Sequence, residues 1–99
     1  YKTVLSHYNK ALEMQRKVLP DNHPDLASSH NNIAVVYKNM GDYKTALSHY
    51  NKALEMRQKA LPENHPDLAS SHNNIACVYD DMGDYKTALS HYNKALEMQ

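Results

Sequence analysis

Seven histidines, one cysteine and one pair of adjacent aspartates are the residues of this 99-residue chain whose types could do chemistry. The histidines fall into three sets: His7, His49 and His91; His23 and His65; His30 and His72. A zinc site needs converging ligands, because each Zn–N bond is about 2.1 Å long. No two histidines stand three or four residues apart, and equivalent ones recur 42 positions apart. That separation is roughly a helix diameter of 10 Å or more, so the spacing predicts no metal site. His72 precedes Cys77 by five residues, roughly 140° around a helix, which does not orient a base toward a nucleophile. Asp80 and Asp81 are adjacent and diverge, so they make no working carboxylate pair. Gly41 and Gly83 each precede an aspartate in a turn, and neither belongs to a phosphate-cradling loop. These residues predict neither an enzyme nor a cofactor. The interest moves to the elements that carry them and the surface those elements offer.

Those elements recur. Residues 1–42 match 43–84 at 34 positions, and 85–99 begin a third copy. The exceptions are 4/46, 15/57, 16/58, 18/60, 21/63, 35/77, 38/80 and 39/81. A period of this length marks a solenoid, in which each unit buries its apolar face on its neighbours.

Each copy reads as two helices. Between Tyr43 and Leu61, Tyr43, Ala46, Leu47, Tyr50, Ala53 and Leu54 recur at helical spacing, with Lys44, His49, Asn51, Lys52 and Glu55 opposite. Gly41 suits a left-handed end to the helix before, Asp42 suits the N-cap, and Pro62 stops the run. This is helix B, expected at 1–19, 43–61 and 85–99. Helix A is expected at 24–40 and 66–82. Pro24 fits its first turn, Asp25 favours that end, and Leu26, Ile33, Ala34, Tyr37 and Met40 form its stripe. The order is B-A-B-A-B, in a single repeat segment spanning 1–99. Pro20–His23 and Pro62–His65 are the B-to-A loops. Ala34, Ala46 and Ala53 let helices approach closely, and the tyrosines fill the space between.

This pattern resembles the tetratricopeptide repeat, or TPR. The residues that carry the likeness are Ile33, Ala34, Tyr37, Gly41, Tyr43, Ala46, Tyr50, Ala53 and Pro62. The second copy supplies Ile75, Ala76, Tyr79, Gly83, Tyr85, Ala88, Tyr92 and Ala95. His30 and His72 stand where that signature has tryptophan, and Ala34 and Ala76 where it has glycine. The period of 42, longer than the usual length of about 34, resembles kinesin light chains, as do the His-Pro-Asp loop and the Asn-Asn pair. The resemblance implies an all-α solenoid of antiparallel helix pairs, wound as a right-handed superhelix. It also implies a concave groove, lined by the A helices, that binds short peptide segments of partner proteins.

Composition narrows the partners. Eleven basic and eleven acidic residues balance, so nothing points to nucleic acid or an anionic membrane. The longest apolar run, Ile33 to Tyr37, is far short of the ~20 residues a spanning helix needs. The lone Cys77 excludes an intrachain disulfide and points to a reducing, cytoplasmic setting. The chain opens in mid-repeat at Tyr1, so the expectation is a segment of a longer array, natural or designed.

The exceptions to the repeat locate the expected site. Val35/Cys77, Lys38/Asp80 and Asn39/Asp81 share one helical face, distinct from the packed stripe, and Ser28 and Asn31 extend it. The peptide-binding face is therefore expected at Ser28, Asn31, Val35, Lys38 and Asn39, and at Ser70, Asn73, Cys77, Asp80 and Asp81. Asn31 and Asn73 offer both donor and acceptor to an extended backbone. Asn32 and Asn74, one position on, are expected to bond to a neighbouring helix. Lys38 against Asp80 predicts a groove positive at the first A helix and negative at the second. The Val/Ala, Asp/Glu and Gln/Arg exchanges read as drift. The alternative function is a structural spacer or self-assembling unit. On that view Leu5, Leu12, Leu89 and Leu96, on half-covered terminal B helices, drive end-to-end or swapped association.

Overall fold

The computed structural model describes residues 2–19, 23–62 and 65–98. They form five helices: α1 (Lys2–Val18), α2 (Pro24–Asn39), α3 (Tyr43–Ala60), α4 (Pro66–Met82) and α5 (Tyr85–Met98). There is no strand among the described residues. Tyr1, Gln99, and loop residues Pro20, Asp21, Asn22, Glu63 and Asn64 lie outside them.

The helix ends follow from local chemistry. His23 and His65 are extended, as a residue before proline must be. Their Nδ1 atoms accept from the Asp25 and Asp67 amides at 3.1 Å, satisfying a donor that the first turn leaves free. The Asp25 and Asp67 carboxylates lie 3.8 Å from the same rings. At the A-to-B turns Gly41 and Gly83 take φ of 85° and 87°, where a Cβ would be strained. Asp42 and Asp84 then cap the B helices, accepting from the Thr45 and Thr87 amides at 3.3 Å.

Each helix packs on its neighbours in the sequence: α1 on α2, α2 on α3, α3 on α4 and α4 on α5. The result is a slab of 36 × 32 × 14 Å, the outline of a short solenoid. Two apolar clusters hold it. Leu5 and Leu12 of α1 pack with Leu26, Ile33 and Val36 of α2. Ala34, Ala46, Tyr50, Ile75 and Val78 form the second, with Leu47 and Leu54 packed against it. Ala34, Ala46 and Ala53 are fully buried, so nothing larger separates α2 from α3. Met40, expected in the helix A stripe, is exposed; Val36 takes the buried place.

The terminal leucines do not behave alike. Leu5 and Leu12 are buried, at 9% and 6% exposure, because α2 covers them. Leu89 and Leu96 are exposed, at 59% and 67%, with no described helix over them. Half-coverage is therefore right for α5 and wrong for the leucines of α1. A helix B is covered on its leucine face by the helix A that follows it. The bare side chains of α1 are instead Val4, Met14 and Val18.

Candidate functional site

The expected site residues lie on α2 and α4. On α2, Ser28, Val35 and Asn39 are exposed, and Asn31 and Lys38 half-buried. On α4, Ser70, Asp80 and Asp81 are exposed, and Asn73 and Cys77 half-buried. Two contacts tie the helices side by side. Near their C-terminal ends Lys38 Nζ meets Asp81 Oδ2 at 3.5 Å. Near their N-terminal ends Arg57 of α3 reaches between them. Its Nη1 donates to Ser71 Oγ at 2.8 Å and to the Asp67 carbonyl at 3.3 Å. With the Asn31 carboxamide turned so that its oxygen faces the guanidinium, that oxygen accepts from Nη1 at 3.1 Å and Nη2 at 2.9 Å.

These contacts revise the charge pattern. Lys38 does not stand as a free cation at the first helix, because it pairs with Asp81 across the repeat boundary. Two of the copy-to-copy exchanges thus create one inter-repeat ion pair, and Asp80 remains as the exposed acid beside it. Both members are partly exposed, so the pair is worth less than about 1 kcal/mol. Lys38→Asp should lower stability by about 0.5–1 kcal/mol in low-salt urea unfolding, and less in high salt. Adding Asp81→Lys should restore it.

Arg57 is the residue that sequence reasoning missed. Copy 1 reads Gln15-Arg16 and copy 2 Arg57-Gln58, an exchange that reads as drift in the sequence alone. The exchange moves the guanidinium by one position, and so by about 100° around the helix. Gln15 occupies the equivalent place and accepts from Ser29 Oγ, whereas Arg16 is exposed. The reversed order of two side chains was the available signal.

Cys77 turns partly away from the A-helix face. Its Sγ lies 3.3 Å from the Tyr92 hydroxyl of α5. That hydrogen bond, followed by burial and the charges of Cys77, Asp80 and Asp81, pushes the Tyr92 phenol up to about 12. The bonds expected from Asn32 and Asn74 to a neighbouring helix do not form among the described residues. Asn32 is exposed and Asn74 half-buried.

Beneath this face, the A–B junctions bring histidines together. His30 Nδ1 lies 3.0 Å from His49 Nδ1, and His72 Nδ1 lies 3.2 Å from His91 Nδ1. The ring centroids are 5.3 and 5.5 Å apart, so the rings meet by their nitrogen edges and not face to face. Tyr37 and Tyr79 lie near-parallel and offset over the outer rings, His49 and His91. A direct N···N contact needs one N–H and one lone pair. His30 Nε2 is buried without a partner. A bare lone pair is tolerated there better than an orphaned N–H, so we assign the Nδ1 proton to His30, donating to His49. Burial first, then the facing His49 and the cations Lys52 and Arg16, lower His30 to about 4. His49 and His72 are lowered too, by burial first; Lys52 acts on His49, and His91 and Lys94 on His72. Burial and Lys94 lower His91. All four rings are neutral near pH 7. No cluster of three or more metal-ligating side chains occurs among the described residues. No described helix is long and apolar enough to cross a membrane.

The tetratricopeptide repeat family model matches residues 1–59 and 25–99. No curated protein matches significantly. Among solved structures, a kinesin light chain-type protein of Podosopora anserina, with nearly identical TPR-like repeats, superposes with a TM-score of 0.84 at 21% identity. The match covers 96% of this chain and 45% of that one. A point variant of the same protein gives the same values. BtubC (BKLC) from P. vanneervenii superposes at 0.83 with 29% identity, over 94% of this chain and 37% of that one. The chain therefore spans less than half the length of these relatives. The repeat at 42 residues, the five-helix solenoid, whose fold is like that of these solved repeat proteins, and the family-model match lead to one conclusion: the chain belongs to the tetratricopeptide-repeat family.

Proposed function

We infer that this chain is a protein-interaction scaffold whose α2 and α4 faces form a groove for short, extended peptide segments of a partner. The observation that carries this reading is the distribution of change between near-identical copies. Apart from Val4/Ala46, the packing residues are copied, while Val35/Cys77, Lys38/Asp80 and Asn39/Asp81 differ on one face of the A helices. Surface freed from packing is where ligand selectivity is built.

Arg57 gives Asn31 a defined part. Its guanidinium takes the Asn31 oxygen, which leaves the amide N–H groups to donate to a backbone carbonyl of the ligand. Such preorganisation lowers the ordering cost of binding. With Lys38 paired to Asp81, Asp80 supplies the uncompensated charge, so the groove favours a basic ligand residue near the end of α4. Peptide-display selection on the full chain tests this. Selected peptides should carry that basic residue, and Asn31→Ala or Asn73→Ala should weaken them about tenfold each. Selection that returns nothing, or peptides indifferent to both changes, would favour a spacer with no dedicated ligand.

A further inference from the structure

We propose that the outer face of the B helices docks an acidic polypeptide segment, on a surface separate from the A-helix groove. The even balance of charge over the whole chain hides a segregation by helix. Nine of the eleven Lys and Arg side chains are exposed on the B helices: four on α1, three on α3 and two on α5. Each of those helices exposes one glutamate: Glu13, Glu55 or Glu97. The A helices α2 and α4 hold one cation, Lys38, and four aspartates. None of the nine cations enters an ion pair among the described residues, whereas Lys38 does.

The middle helix shows how the face is built. Both α2 and α4 pack against α3, yet Lys44, Ser48, Asn51, Lys52, Glu55 and Lys59 are all exposed. At about 100° per residue these six share an arc of about 100° of the helix circumference, and no apolar side chain lies among them. Ala46, Tyr50 and Ala53 take the opposite, buried side. The same arc recurs on the other B helices, with Lys10 and Lys94 in the place of Lys52. From Lys44 to Lys59 it runs roughly 22 Å, the length of about seven extended residues.

The chemistry of the arc selects among anionic partners. It has no aromatic or apolar side chain to enter a lipid interface or to stack on a base. Glu55, inside the arc, would lie against like charge on any surface covered with phosphate. A polypeptide can set carboxylates on Lys44, Lys52 and Lys59, and its backbone N–H groups or neutral side chains on Glu55, Ser48 and Asn51. Each such contact is exposed and screened, so binding is weak per helix and gains from repetition over three. The scaffold then has two faces of opposite preference: basic ligand residues in the groove, acidic ones outside.

A competition assay on the full chain at about 0.15 M salt tests this, with a labelled alternating Glu-Ser peptide of about 20 residues followed by anisotropy. The competitors are the same peptide unlabelled, an oligothymidine and phosphatidylserine vesicles, each at equal anionic charge. The unlabelled peptide should displace the label most effectively. Lys44→Gln, Lys52→Gln and Lys59→Gln together should weaken the peptide about fivefold, while Lys44→Arg, Lys52→Arg and Lys59→Arg together should retain it. All three sites are exposed and glutamine is a good helix former, so the fold is kept. Asn31→Ala with Asn73→Ala, which disables the groove, should leave this binding unchanged. The proposal is overturned if the peptide does not bind, if the glutamines do not weaken it, or if the groove variant loses it. Oligothymidine or vesicles that compete as well as the peptide overturn it too, and assign the face to phosphate instead.

Discussion

Lowering the pH from 7 to 4 should progressively destabilise the fold, with most of the loss between pH 6.5 and pH 4. The cause is the pair of histidine junctions. In the folded chain His30, His49, His72 and His91 are all held below their ordinary value. In the unfolded chain they titrate near 6.5. Below that point the unfolded state binds protons that the folded state refuses, so stability falls with pH; above it the contribution is complete. His30 sets the scale. It is 1% exposed, and holding it neutral to about 4 amounts to about 3 kcal/mol at acid pH. The other three act in the same direction. Against a typical domain stability of about 5–15 kcal/mol, this is a large fraction.

The structural origin is specific. A first proton on the outer ring still permits an N–H···N bond. Charging His30 as well would place N–H groups head to head across 3.0 Å, and a charged N–H at a buried Nε2 with no acceptor. His49→Gln with His91→Gln leaves an amide opposite each inner ring. Its urea midpoint should fall less steeply over this range. A parent midpoint that is flat from pH 7 to 4.5 would remove the junctions as the acid-sensitive element.

Replacing Arg57 by alanine should cost about 2–3 kcal/mol of folding stability. Ser71 is 1% exposed, and its hydroxyl loses its Arg57 donor. An orphaned buried polar group costs about 1–3 kcal/mol, and hydrogen bonds to charged groups contribute about 1.5–3 kcal/mol each. The partly exposed position of Arg57 holds the total to the lower part of that range. Arg16, the nearest arginine in the other copy, is exposed, and Arg16→Ala should stay within about 0.5 kcal/mol. The double change Arg57→Gln with Gln58→Arg restores the order of copy 1. It should cost only about 1 kcal/mol, because Gln15 already shows that glutamine engages the equivalent serine. Urea unfolding of the three variants decides it. An Arg57→Ala protein as stable as its parent would mean that the guanidinium does not tie α2 to α4.

The parts of this structure legible in the sequence are those written in short-range spacing. Gly41 and Asp42, the proline of each His-Pro-Asp loop, and the buried Ala34, Ala46 and Ala53 each have one local explanation, and each stands where the spacing puts it. The junctions between helices were less legible. His30 and His49 are 19 residues apart, so neither helical offsets nor comparison of equivalent positions brings them together. Antiparallel packing of α2 on α3 does. The departure from the tryptophan of the signature was visible, but its partner was not. Lys38 and Asp81 look like separate changes until α2 and α4 lie side by side, when they become one contact. Leu5 and Leu89 have the same neighbours in sequence except for Val4 and Ala88. Only the direction in which a helix A covers the helix B before it separates a buried leucine from an exposed one.

On the proposed function, the A-helix face is the binding surface. Its most direct test is an amide-shift titration of the full chain with a display-selected peptide. Perturbations should cluster on α2 and α4, around Asn31, Val35, Asn73 and Asp80, with the exposed residues of α3 and α5 unmoved. Perturbations centred on the outer faces of α1, α3 or α5 instead would mean that the A-helix face is not the binding surface.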